Sequence, residues 1–331
     1  MNNDIFEFRK EIDKKWQKEA KELFYLMIKN MNKLINKTKK IYNKYKIDMT
    51  LRELSPKTIE AYESDIKQWF IFILENQDNQ CITELDEDDL TEFFYFCKSN
   101  GNNSRRMKRR MSTVGAFYKF LRKKKMIKEN PMEFIDRPRK DVDVLEKLFL
   151  TKEQIEDMRI KLEELGDLQL QTYIEFSLST LARVNAVSNI KWNMINFNER
   201  KVENVLEKEQ RIVELCFSER VKTLLLKLKS EREKQEINCE YVFCTKYKGV
   251  YDKVDNGTLN EWSHKAGELI NINNCHCHTW RKSGATLLKN NGASLETVSK
   301  LLNHLSTDVS RRFYIKEDMK QIQEEKDKYE I

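Results

Sequence analysis

Apolar positions recur at helical spacing along most of the chain, and the first such stretch is "KKWQKEAKELFYLMIKNMNKLINK". There Trp16, Leu23, Met27, Met31 and Leu34 fall three, four or seven apart, which predicts a helical arm over residues 1–48. Such an arm could engage a partner or simply extend the next domain. In "ELSPKTIEAYESDIKQWFIFILE", Ser55 is placed to cap a helix with Pro56 at its first position, and Ile59, Tyr62, Ile66, Trp69, Phe70 and Ile73 then share one face. A second helix is predicted from Asp86 to Gly101. A third covers 104–125, with Met111, Val114, Phe117 and Leu121 inward and Arg105, Arg106, Lys108, Arg109 and Arg110 outward. Residues 49–140 therefore read as a small helical bundle.

Apolar periodicity lapses over 136–144, where Pro138 and flanking charges mark a linker, and Thr151 then caps a new helix. A second domain is expected over 145–331. It opens with an apolar helix, "QTYIEFSLSTLARVNAVSNIKW", interrupted by Arg183. The period then shifts toward two, with Val202, Val205, Ile212, Val213 and Leu215 in short β-prone runs, so a small antiparallel sheet is predicted there. The remainder, 218–331, reads as helical. The fold class is α+β with helices dominant: a helical bundle, then a mixed domain with a small antiparallel sheet.

Composition sharpens this picture. The 331 residues are 35% charged and 40% hydrophobic with only 8 Gly and 3 Pro, as a largely helical protein of two ordinary domains would be. No apolar run approaches the roughly 20 residues that span a bilayer, and "MNNDIFEFRK" lacks a signal-peptide core, so no membrane partner and a cytoplasmic location are expected. Seven cysteines without framework spacing read as reduced thiols. The net charge of +7 matters less than its distribution. "NKTKKIYNKYK" and "SRRMKRRMSTVGAFYKFLRKKK" interleave cations with aromatics, a pattern that neutralises phosphates. A nucleic acid is the expected partner, with Arg105, Arg106, Lys108, Arg109, Arg110 and Lys57 as candidate contacts; a solvated helix face is the alternative reading of such a run.

The densest candidate chemistry lies in "NCHCHTWRKSGATLL", residues 274–288. On extended chain Cys275 and Cys277 face one way and His276 and His278 the other, and no second ligand pair follows at finger-like spacing, so a metal site is disfavoured. If a helix starts here, His278 and Arg281 share a face three residues apart, and an imidazole beside a planar cation binds phosphate. His304 ends an apolar helix further on, Tyr314 follows ten residues later, Arg183 lies upstream, and Lys208 sits near the predicted hairpin turn.

Taken in order, this set resembles the tyrosine recombinases of the phage-integrase type. "STLARVNAVSNIKW" is similar to the box around that family's first arginine, here Arg183. "HTWRKSGATLL" resembles its His-x-x-Arg box, His278 and Arg281, and "LLNHLSTDVSRRFY" its final box, His304 and the nucleophile Tyr314. "VLEKEQRIVEL" looks like the hairpin bearing the family's lysine, matched by Lys208 and less well by Lys201. "SPKTIEAYESDIKQWFIFI" through "ENPMEFIDRPRK" resembles the core-binding domain, so the likeness spans about 50–320.

The resemblance implies a site-specific recombinase that cuts and rejoins DNA through a 3′-phosphotyrosine link, for integration or excision of a prophage or mobile element. Arg183, Arg281, His278 and His304 would compensate charge on the phosphate, His278 would accept the phenolic proton, and Lys208 would protonate the leaving 5′-oxygen. The covalent link conserves bond energy, so neither a metal nor another cofactor is implied. The charged tail after Tyr314 would dock on a neighbouring protomer, giving a homo-oligomer on paired DNA sites. The chain departs from the family pattern at Ala186, where an acidic residue is common, at Asn303 in place of glycine, and at Lys282 in place of histidine. Ala186 and Asn303 leave open an alternative, a DNA-binding regulator of phage-repressor type on the same fold. A type IB topoisomerase, which shares the chemistry, fits the compact N-terminal bundle less well.

Overall fold

The computed structural model describes residues 34–139, 149–207, 211–303 and 326–327. The chain divides into two compact units at Asp143 and Val144.

The first unit is built on four helices: α1 (Asn36–Leu51), α2 (Pro56–Asn76), α3 (Glu87–Ser99) and α4 (Ser104–Lys123), followed by a 3-10 turn at Pro131–Phe134. Helix starts follow side-chain chemistry. Ser55 accepts from the Thr58 amide with Pro56 behind it, and Asp86 and Asp89 form a reciprocal capping box. The core is strongly aromatic: Trp69, Phe70, Phe93, Phe117 and Tyr118 are all at most 1% exposed, and Trp69 meets Phe117 edge to face at 6.0 Å.

Two expectations are corrected here. Helix α1 runs through the 48/49 boundary, and its Tyr42, Tyr45 and Met49 are buried in the bundle core, so the last part of the supposed arm belongs to the bundle. Trp16, Leu23, Met27 and Met31 lie outside the described residues. Arg110, expected outward, is 5% exposed. Its Nε donates to Asn102 Oδ1 at 3.1 Å and its Nη2 to Gln68 Oε1. A run of five cations on a 3.6-residue period cannot keep all five on one polar face; Arg110 is the one turned inward, next to Met111.

The second unit begins with α5 (Lys152–Leu165), whose Thr151 and Gln154 form a capping box, and α6 (Leu168–Thr180), buried along nearly its whole length. The short α7 (Val184–Ser188) follows. Strands β1 (Ile195–Asn196), β2 (Lys201–Leu206) and β3 (Ile212–Cys216) form an antiparallel sheet in that order, with Val202 opposite Leu215, Val205 opposite Val213, and a register shift between them. Val202, Val205 and Leu215 face the core. Then come α8 (Glu219–Lys234), a hairpin of β4 (Cys244–Tyr247) and β5 (Val250–Lys253), α9 (Asn256–Leu269), α10 (Cys277–Asn290) and α11 (Leu295–Leu301).

The β4–β5 hairpin corrects the expectation that 218–331 is entirely helical. Its turn is Lys248-Gly249, both at positive φ, which suits a tight two-residue connection. Among the described residues no helix is long and apolar enough to cross a membrane.

Candidate functional site

Arg183 does not interrupt a helix; it stands between two. Helix α6 stops at Thr180, Leu181 turns left-handed at φ 55°, and Arg183 is extended at φ −74°, ψ 145° as the residue that opens α7. Thr180 Oγ1 accepts from the Ala182 amide at 3.2 Å and helps close this bend. The side chain of Arg183 is 29% exposed, and its Nη1 donates to Oε2 of Glu207, whose side chain is 3% exposed at the end of β2.

Helix α10 carries the "CHCHTWRK" stretch. His276 opens it in extended conformation, so the alternation expected of extended chain ends at Cys277 and the helical spacing of His278 and Arg281 is realised. The inward face is anchored tightly. Trp280 Nε1 donates to Ser263 Oγ at 2.8 Å, Ser263 also meets the Tyr173 hydroxyl at 3.0 Å, and Ser283 Oγ accepts from the Leu150 amide at 2.8 Å. Gly284 lets α10 press on α6: a Cβ there would sit 2.2 Å from the carbonyl oxygen of Leu178.

The same packing fixes Arg281, which is 1% exposed. Its Nη1 donates to the Leu181 carbonyl, two residues before Arg183, and its Nη2 to the Leu302 carbonyl at 2.6 Å, two residues before His304. One guanidinium thus ties together three segments of the second unit. These donors are turned to backbone carbonyls, a constraint the residue spacing did not reveal.

His278 lies exposed beside it. Its pKa is lowered from the ordinary imidazole value, first by lost hydration and then by the positive fields of His276, Arg281, Lys282 and Arg183. Arg183, distant in sequence, therefore shares one electrostatic neighbourhood with His278 and Arg281. An adjoining cleft of about 490 Å³ is lined by Val184, Asn256 and Asn260 and by three of the four histidines, His264, His276 and His278.

The two cysteines serve packing. Cys275 is buried against Gly267, and burial pushes its thiol up to about 11. Cys277 Sγ lies 3.4 Å from the Tyr173 hydroxyl and 3.6 Å from Asn260 Oδ1. Among the described residues no cluster of three or more His, Cys, Asp or Glu side chains could hold a metal ion. All seven cysteines are free.

Lys208, His304 and Tyr314 lie outside the described residues, as does most of the tail beyond. Lys201, the weaker lysine candidate, is held by Glu199, Glu203 and Glu214 at 2.7, 3.2 and 3.3 Å, and these carboxylates raise its pKa. In the first unit Arg105, Arg106 and Lys57 are exposed. Lys108 Nζ reaches the Arg139 carbonyl at 2.8 Å, and Arg109 grips the buried Asp65 through two hydrogen bonds of 2.9 and 3.1 Å. Spacing also gave no warning of Glu207; its signal was a carboxylate directly before the candidate lysine in "LEKEQR".

This fold is shared with solved site-specific recombinases and integrases. It superimposes on the XerH site-specific recombinase bound to palindromic difH substrate (TM-score 0.67, 17% identity, 85% of this chain and 82% of that one). It also superimposes on the Tn1549 transposon integrase in complex with transposon right-end DNA (0.66, 16%, 88% and 99%). Residues 148–321 match the phage integrase family and residues 43–125 its N-terminal SAM-like domain, and the chain belongs to the phage integrase family, the tyrosine recombinases. Similar proteins include tyrosine recombinase XerC of Pediococcus pentosaceus, 25% identical over 84% of this chain and 93% of that one. Tyrosine recombinase XerC of Leptospira interrogans is 27% identical over 84% and 88%.

Proposed function

We propose that this chain cuts and rejoins double-stranded DNA at specific sites, with Tyr314 as nucleophile and Arg183, Lys208, His278, Arg281 and His304 around the scissile phosphate. The observation that carries the reading is the convergence of Arg183, His278 and Arg281, fixed by the hold of Arg281 on the Leu181 and Leu302 carbonyls. Positive charge fixed in place before reaction stabilises the charge that builds on the phosphate's non-bridging oxygens.

In the step we propose, the Tyr314 oxygen attacks phosphorus, a P–O(Tyr) bond forms and the P–O5′ bond breaks. The phenolic proton passes to His278, which its surroundings keep neutral and able to accept it. Lys208 supplies a proton to the leaving 5′-oxygen; Lys201, engaged by three carboxylates, is the poorer donor. Rejoining reverses the step with a second 5′-hydroxyl, so the number of phosphodiester bonds is conserved and no cofactor is consumed.

Arg105, Arg106 and Lys57 would meet the DNA backbone, where cations give affinity rather than sequence preference. The lambda integrase, another structural neighbour, was solved as a dimer on a core site and as a tetramer on a Holliday junction. By likeness this chain acts as a homo-oligomer on paired sites, through its C-terminal tail, on DNA in the cytoplasm. The likeness to a transposon integrase favours a mobile element as its substrate.

The test exposes purified protein to a genomic fragment library that includes DNA flanking its own gene. DNA retained after a denaturing detergent wash by the wild type, and not by Tyr314→Phe, is the expected result. Specific fragments captured equally by both proteins, with none resistant to detergent, would instead identify a DNA-binding regulator.

A further inference from the structure

The carboxylate of Glu207 is the partner of Arg183, and nothing in the family motifs accounts for it. The side chain is 3% exposed, at the end of β2, 24 residues from the arginine it holds. Its Oε2 accepts from Arg183 Nη1, and among the described residues its Oε1, also buried, has no hydrogen-bond partner. The Glu207 amide donates to the Arg211 carbonyl at 2.8 Å where the β2–β3 hairpin enters its turn, so the backbone behind the carboxylate is itself fixed. A buried carboxylate is costly unless a cation answers it, and Arg183 is the cation that does. On α7, by contrast, the residue three after Arg183 is Ala186, 2% exposed and packed in the core, which offers no charge.

We propose that Glu207 is the positioning residue for Arg183: it holds the guanidinium by one edge and leaves the opposite edge for the scissile phosphate. A guanidinium has five donors in a planar fork, and a contact at one Nη restrains that edge while leaving donors on the other side. Glu207 touches no reacting atom; it acts through Arg183. The inference rests on the recombinase reading above.

The experiment uses the full chain and a DNA fragment that forms the detergent-resistant adduct. Single-turnover adduct formation is measured for the wild type, Glu207→Gln, Glu207→Ala, Arg183→Ala and the double variant Arg183→Ala/Glu207→Gln, with DNA affinity and thermal melting measured alongside. Glu207→Gln should slow adduct formation about tenfold and Glu207→Ala about a hundredfold, as expected when one fixed donor is removed from a phosphate site, with DNA affinity within about twofold of wild type. In the Arg183→Ala background Glu207→Gln should slow the reaction no further, because a residue acting only through Arg183 has nothing left to position.

A variant that cleaves at the wild-type rate, or faster, would overturn the proposal; a faster rate would make Glu207 a competitor of the phosphate. Equal slowing by Glu207→Gln with and without Arg183 would also overturn it, as the mark of a role independent of the arginine. Glu207→Gln, nearly isosteric, keeps the test decisive should Glu207→Ala fail to fold. Absence of adduct from the wild type itself would sink the recombinase reading and this inference together, an outcome distinct from the others.

Discussion

Side chains of one type do different work in this chain, and burial with partners separates them. Within one basic run Arg105 and Arg106 are exposed, Arg109 grips buried Asp65, and Arg110 is itself buried against Asn102 and Gln68. Arg109→Ala should lower the stability of the first unit by about 2 kcal/mol, less than for a fully buried pair because Arg109 is half exposed, and chemical denaturation would read it. His278 gives a prediction in pH. Its pKa is depressed by lost hydration and by neighbouring cations, so the neutral ring persists as pH falls through 6.5. Its NMR titration midpoint should lie below 6.5 and move up toward it in Arg183→Gln, which removes one of those cations. The unfolded chain binds this proton more readily than the folded one, so the contribution of His278 to stability falls as pH drops below about 6.5. The residue types and spacings of His278 and Arg281 were legible in the sequence, because three residues on a helix fix a shared face. The orientation of the Arg281 donors toward Leu181 and Leu302 was not, since carbonyls leave no mark in a sequence. Glu207 was missed for a related reason: an ion pair between a strand end and a helix start has no period.

Helices α2, α3 and α4 and the first sheet could be placed from periodicity and capping residues, because each exposes one face and each helix starts on a side chain that satisfies loose amides. The break at Leu181 escaped that reading, since a leucine in left-handed conformation is set by tertiary packing and not by its own preference. The β4–β5 hairpin escaped it too, because four-residue strands with exposed lysines carry little apolar alternation. Helix against helix, the contact of α10 with α6 depends on Gly284. Gly284→Ala must push the Leu178 carbonyl away and should cost about 1–3 kcal/mol, seen as a lower melting temperature. Because Leu178 and Leu181 belong to the same turn, that displacement should also loosen the hold of Arg281 and slow adduct formation.

Across the whole molecule, the proposed function assigns DNA grip to the first unit and chemistry to the second, and salt would separate them experimentally. Arg105→Ala/Arg106→Ala should weaken DNA binding with little sequence preference and flatten the dependence of log affinity on log salt by up to about 2, roughly 0.9 for each phosphate no longer neutralised. Arg110→Ala should leave that slope unchanged and lower the melting temperature of the first unit. The division of the chain was legible from Pro138 and the lapse of periodicity around it, whereas the extent of the first unit was not, because α1 joins it through buried tyrosines on a helix with a charged exterior. The hydrogen bonds that build the neighbourhood of Arg183 and Arg281 span long stretches of chain: 100 residues from Arg281 to Leu181 and 133 from Leu150 to Ser283. Pairings of such separation form late, after the loops between them have closed. An emerging chain in which Arg281 and Leu302 have yet to be added therefore lacks these ties, and the proposed cutting centre stays unassembled until both are in place.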